Sequence, residues 1–168
     1  MKFLILCLFS FSVFGLQFKK DYKLIKKFSL DAIHSMQLTQ KIKAIEIRLF
    51  DVILEKKMTY HGYDLKRLLD HVYQDNWLSA KSLIISANDG YRKKISIERL
   101  KQYLINKKAY IVFSSKKNKL PSFIKGTKSV SLSPLYIVWA GANRKNLKKM
   151  RKKYAWIYQL KSLGIVSN

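Results

Sequence analysis

Two short runs near the C-terminus constrain this chain more than anything else in it. They are Leu135, Tyr136, Ile137, Val138 and Trp139, then Trp156, Ile157, Tyr158, Gln159 and Leu160. Each is too short for a stable helix and rich in the aromatic and β-branched residues that suit a pleated surface, so both are expected as strands. The first carries no charged residue and reads as a buried strand; the second reads as the closing strand, running on toward Val166.

Nothing covalent is available to hold such strands together. The single cysteine, Cys7, falls in an apolar N-terminal run, and three histidines in 168 residues argue against a metal-built core. Burial of Ile, Leu, Val, Phe, Tyr and Trp must therefore carry the stability. Residues 16–168 are one domain's length, enough to close a core without staples.

The N-terminal run sets the expected compartment. Met1 and Lys2 give a positive start, residues 3–14 are almost wholly apolar, and Gly15 is a small residue at a cleavage position. This pattern predicts a signal peptide at 1–15 and a mature chain that is periplasmic or secreted. The run is shorter than the ~20 residues that cross a bilayer and is closed by Lys19 and Lys20, so no transmembrane segment is expected in the mature chain. Retention as an uncleaved anchor is the alternative. Cys7 follows Leu6, where a lipoprotein would need a small residue, and so it should leave with the leader.

Charge is distributed unevenly. The formal net charge is +24, from 34 Lys and Arg against 10 Asp and Glu, and every carboxylate residue lies at or before Glu98. The basic residues crowd most densely at 144–153. Such a field attracts polyanions, acidic proteins or an anionic membrane surface. Lysine far outnumbers arginine, whereas nucleic-acid sites lean on arginine for bidentate contacts, so a dedicated nucleic-acid role is disfavoured.

The remaining pattern predicts a β-rich α+β chain: a mixed sheet or barrel-like core with two or three short helices. Residues 22–30 read as extended, with Ser29 or Asp31 capping a short turn. Residues 43–57 read as one long strand with Ile45, Ile47, Leu49 and Asp51 on one face. Tyr60, His61, Gly62 and Tyr63 read as a glycine turn, with Asp64 capping a helix whose Leu65, Leu68, Leu69 and Val72 share a face. Residues 82–86 read as a strand stopped by the turn Asn88, Asp89, Gly90, with residues 91–95 returning. Ser96 caps a helix with Ile97, Leu100, Leu104 and Ile105 on its apolar side, and residues 109–113 form the next strand. Residues 114–131 read as an exposed irregular excursion, and 146–153 as a basic helical turn.

In three places the sequence resembles the sulfite-oxidase-like, molybdopterin-binding-domain superfamily, in particular its small periplasmic branch. They are Asp89, Gly90 and Tyr91 before Ile97 and Leu100; Pro134 leading the strand to Trp139; and Trp156 to Leu160. The turn at Tyr60, His61, Gly62 and Tyr63 before Leu65, Leu68 and Leu69 is similar to the family's strand, glycine turn and leucine helix. Ser133 stands where the family usually has glycine. The likeness runs from about residue 43 to the end. It implies a sulfite-oxidase-like fold and, in the catalytic branch, a molybdenum held by a cysteine thiolate with basic side chains on the cofactor's phosphate. No cysteine follows Cys7, and the thioethers of Met36, Met58 and Met150 carry no charge with which to bind a hard metal. The expectation is thus an exported domain that has lost cofactor chemistry and acts as a binding or accessory module. Two alternatives stand beside it: a subunit of a molybdopterin-dependent oxidoreductase, and a basic envelope protein that binds anionic lipid, polysaccharide or nucleic acid.

No catalytic residues are expected. His34, His61 and His71 lack ligand spacing, no serine sits in a glycine elbow, and Asp89 and Glu98 read as turn and first-turn helix residues. The candidate site is a surface one. Trp139, Trp156 and Tyr158 are expected to offer rings that, with Arg144 and Lys145, line a cleft for an anionic group or an envelope partner.

Overall fold

A computed structural model describes residues 15–115 and 119–167. Of the leader expected at 1–15, residues 1–14 lie outside the described residues, while Gly15 is the first residue of β1, opposite Ser29 of β2. The chain begins with a hairpin of β1 (Gly15–Lys20) and β2 (Lys23–Ser29). Ser29 ends β2, and its hydroxyl accepts from the Ala32 N–H at 3.1 Å, capping α1 (Leu30–His34). A small hairpin of β3 (Gln37–Thr39) and β4 (Ile42–Lys43) precedes β5 (Ile45–Asp51) and β6 (Lys56–Asp64). Asp64 then caps α2 (Leu65–Tyr73) by accepting from the Arg67 N–H at 3.0 Å, and α3 (Asn76–Ser79) follows. β7 (Ser82–Ala87) and β8 (Arg92–Ser96) form the Asn88-to-Gly90 hairpin, with Gly90 at φ 89°. Ser96 caps α4 (Ile97–Asn106), and β9 (Ala109–Ser115) returns across the molecule. The last third holds a hairpin of β10 (Ser122–Lys125) and β11 (Lys128–Ser131), then β12 (Tyr136–Trp139), a 3-10 turn (Arg144–Asn146), α5 (Leu147–Lys153) and β13 (Leu160–Val166).

The long strands assemble into two sheets rather than a closed barrel. One has the order β2-β1-β13-β7-β8, mixed because β1 and β13 run parallel; the other, β12-β9-β6-β5, is antiparallel. The inward rows of both sheets and the leucine face of α2 share one buried cluster, including Phe18, Leu68, Leu83, Ile111, Trp139 and Leu163. Leu65, Leu68 and Leu69 are each fully buried, a contribution of about 1.5–3 kcal/mol per side chain. The opposite face of the four-stranded sheet carries a second cluster, with Tyr60, Val112, Tyr136 and Val138 under Leu120 and Leu132. β12 is therefore buried on both faces, its odd positions in one cluster and its even positions in the other.

Several local expectations are corrected. Residues 43–57 are a hairpin, not one strand. The Asp51 carboxylate accepts from the N–H groups of Ile53 (2.8 Å) and Leu54 (2.9 Å) and turns the chain back, with Glu55 at φ 55°. Tyr60 to Tyr63 lie inside β6 rather than in a turn. Gly62 is needed there because β9 passes so close that a Cβ would sit 2.5 Å from the Ile111 carbonyl oxygen. Part of 114–131 is ordered as the β10–β11 hairpin around Gly126 at φ 63°. The closing strand starts only at Leu160, since Gln159 at φ 52° breaks the run, and Tyr158 makes a lone bridge to Tyr136. Ile105 is 82% exposed, because eight residues on from Ile97 the helix has rotated it off the apolar side. Five α-helices and one 3-10 turn occur among the described residues, and only α2 and α4 exceed two turns.

Candidate functional site: a basic, aromatic cleft

A cleft of about 400 Å³ opens where four separate stretches meet beside Ile53 of the β5–β6 turn. They are the tip and return of the β7–β8 hairpin (Asp89, Tyr91, Lys93), the end of β10 (Lys125), the last turn of α5 (Arg151, Lys152), and the extended residues Tyr154 to Tyr158. Local chemistry builds each wall. Asp89 accepts from the Tyr91 N–H at 3.0 Å, which closes the hairpin tip and leaves Tyr91 half exposed. The Trp156 indole N–H donates to the Met150 carbonyl at 3.3 Å while its ring rests against Tyr136, with centroids 6.4 Å apart. Tyr158 meets Phe123 of β10 edge-on at 5.4 Å, tying the excursion to the cleft rim.

The electrostatics are one-sided. Lys93, Lys125, Arg151 and Lys152 face a single carboxylate, Asp89. Arg151 also fixes the wall: its Nε donates to the Val52 carbonyl at 3.0 Å and its Nη2 to Glu55 at 2.9 Å, pinning α5 to the β5–β6 turn. Among the described residues the three lysines make no ion pair. Behind this wall sits Asp51, wholly buried, its second carboxylate oxygen accepting from the Tyr60 hydroxyl at 2.7 Å. Burial pushes the Asp51 carboxyl up, against the downward pull of hydrogen bonds from Leu54, Tyr60, Ile53 and Tyr136. The same burial, reinforced by the Asp51 charge, pushes the Tyr60 and Tyr136 phenols up. This trio anchors the turn that holds Arg151 and does not line the cleft.

The expected site residues are divided by the structure. Trp156 and Tyr158 line the cleft. Trp139 does not: it is fully buried, its N–H donates to the Ala155 carbonyl at 2.9 Å, and it packs on Tyr154 and Tyr103. Its side chain falls on the inner face of β12, so it supports the cleft floor from beneath. Arg144 and Lys145 are exposed on the 3-10 turn, which Asn143 and Asn146 cap reciprocally, and neither is among the lining residues. The basic contribution comes instead from Arg151 and Lys152, later in the same run, and from Lys93 and Lys125. Sequence reasoning missed these last two, since an exposed lysine on a strand carries no local mark of its neighbours.

Among the described residues lining the cleft there is no histidine, cysteine or serine. His61 Nδ1 lies 3.4 Å from the Ser114 hydroxyl, but Glu46, opposite His61 across the β5–β6 ladder, is engaged by Arg48 at 2.7 Å. No group of three His, Cys, Asp or Glu that could hold a metal occurs among the described residues. The donor set does not fit a thiolate-held molybdenum: Cys7 is the only cysteine in the sequence, Met150 is a buried core filler, and Met36 sits exposed at φ 65°.

No family model matches the sequence, and a search of curated proteins finds no match. What the fold and cleft define is a class: a β-rich chain of two sheets and short helices that presents a cationic, aromatic-walled hollow. No helix among the described residues is long and apolar enough to cross a membrane.

Proposed function

We propose that this protein is a non-catalytic binding or accessory module of the cell envelope, built on a sulfite-oxidase-like scaffold, whose cleft receives an anionic group. One observation carries the reading: Lys93, Lys125 and Lys152, none of them ion-paired among the described residues, surround the hollow with the rings of Tyr91, Trp156 and Tyr158, and Asp89 is the one carboxylate in its lining. Rings supply apolar contact area and lysines supply charge, the combination that suits a ligand with a flat body and an anionic substituent. Export to the periplasm is part of the proposal. Leu16 and Phe18 are buried in the core, and a cut after Gly15, where the signal pattern puts it, spares both side chains while removing the end residue of β1 that pairs with Ser29.

The test is titration of the protein with phenyl phosphate, followed by calorimetry and tryptophan fluorescence. Saturable binding that weakens about tenfold in the double variant Lys93→Gln, Lys152→Gln supports the reading. Binding that never saturates, or that both substitutions leave untouched, overturns it.

A further inference from the structure

The cleft does not end at Lys93 and Lys152. A second hollow of about 310 Å³ shares both lysines and Ala155 with it, and continues along the junction of β8, α4 and α5. There Lys94, Arg99 and Lys153 join the shared pair, and no carboxylate lines this part. The two hollows thus adjoin across these shared residues, and together they make up a trough lined by both sets of cations. None of Lys94, Arg99 and Lys153 is ion-paired to a carboxylate among the described residues. Like charges held together without carboxylate partners raise a positive potential that a small monoanion, seated in one hollow, would leave largely uncompensated.

The aromatic residues narrow the choice of polyanion. In the second hollow the Tyr103 ring is covered by two cations, Arg99 at 5.6 Å and Lys153 at 5.7 Å from its centroid. Lys153 also lies 5.4 Å over Tyr154. Tyr103 and Tyr154 are themselves buried. Nucleobases bind single-strand channels by stacking on free aromatic faces, and here those faces are taken. What the second hollow offers is charge without a stacking platform, supplied chiefly by lysine, a point charge that accepts carboxylate and sulfate alike.

We infer that the trough binds a linear acidic polysaccharide, with one anionic sugar against the rings and cations of the first hollow and the following anionic groups on Lys94, Arg99 and Lys153. This rests on the binding-module reading and specifies its ligand. The experiment measures three probes against the protein: an oligogalacturonate for carboxylates, a heparin oligosaccharide for sulfates, and single-stranded oligothymidylate of similar charge. The expected result is saturable binding of at least one oligosaccharide, more tightly than the oligothymidylate, weakening as salt rises. The triple variant Lys94→Gln, Arg99→Gln, Lys153→Gln should lose about tenfold or more in oligosaccharide affinity while keeping its phenyl phosphate affinity. Because Arg99 and Lys153 cover Tyr103, Lys94→Gln alone serves as the variant that leaves this packing intact, with a loss of about two- to fivefold. Equal or tighter binding of the oligothymidylate, or oligosaccharide binding indifferent to both variants, overturns the inference while phenyl phosphate binding leaves the module reading standing. Loss of phenyl phosphate binding in the unaltered protein removes both.

Discussion

Replacing Tyr60 by Phe should expose how the buried carboxylate behind the cleft is held. Asp51 is wholly buried, and its two oxygens are served unequally. Oδ1 accepts from two backbone N–H groups at 2.8 and 2.9 Å and lies 3.4 Å from the Tyr136 hydroxyl, whereas Oδ2 takes the Tyr60 hydroxyl at 2.7 Å. Tyr60→Phe removes a short hydrogen bond to a charged acceptor in a site closed to water, a loss of about 1.5–3 kcal/mol. Tyr136→Phe removes a long contact from an oxygen already twice bonded, and should cost about 0.5–1 kcal/mol. For a chain of this size each kcal/mol moves Tm by roughly 2–4 °C, so Tyr60→Phe should melt about 3–12 °C lower and Tyr136→Phe about 1–4 °C lower. The pH dependence supplies a second reading. Burial holds the folded Asp51 pKa above its ordinary 3.8, so the folded state binds the extra proton between the two values and stability falls as pH rises through that window. Tyr60 pulls that pKa down, and its removal moves the upper edge of the window higher. The loss in Tyr60→Phe should therefore grow as pH rises through the window and be smallest below about pH 3.8. Urea denaturation at pH 3.5, 5 and 7 measures it. Equal losses in the two variants, or a Tyr60→Phe loss that shrinks as pH rises, would refute the assignment of Asp51 as an ionised acceptor held chiefly by Tyr60.

Gly62→Ala should cost about 2–4 kcal/mol in chemical denaturation, since its Cβ would press on the Ile111 carbonyl and on Val112. Trp139→Phe should lose about 2–4 kcal/mol through the vacated volume and the Ala155 carbonyl left without its donor, a difference visible in the same denaturation experiment. Arg144→Gln with Lys145→Gln should leave phenyl phosphate affinity within about twofold by calorimetry, because neither side chain lines the cleft. Hydrogen bonds from the Ser167 N–H and hydroxyl hold the Asp21 carboxyl below its ordinary 3.8. Its contribution is thus present above that value and fades as pH falls through the lowered one; in Asp21→Asn, thermal melts between pH 2 and 5 should lose that part of the acid slope.

Where a signal acts within a few residues, the sequence and the structure agree. Ser29, Asp64 and Ser96 cap their helices as their side chains predict, and Asn88 to Gly90 closes its hairpin. Where the deciding neighbour is remote, they part. Gly62 has the composition of a turn, yet it is a strand residue made necessary by a β9 carbonyl from nearly fifty positions away in the chain. A local signal can also be masked: the 43–57 alternation has the period of one strand, and Asp51, whose carboxylate accepts from the Ile53 and Leu54 N–H groups just beyond it, falls in phase with that alternation. Among the candidate site residues, Trp156 and Tyr158 were legible as rings beside a basic run, whereas Trp139 on its strand carried no sign of which cluster it would enter.

The amino-acid order alone determined that this would be a strand-dominated chain with capped short helices, stabilised by burial without disulfides after its only cysteine, and strongly cationic toward its C-terminus. Those properties are sums or short-range preferences, and they need no knowledge of what packs on what. The tertiary structure decided which cations matter. Lys93 and Lys125 become neighbours of Arg151 and Lys152 only because β8, β10 and α5 converge on one hollow, while Arg144 and Lys145, closer in sequence to the last two, are left outside it. Electrostatic recognition depends on distances in space, and the packing of the two sheets sets those distances.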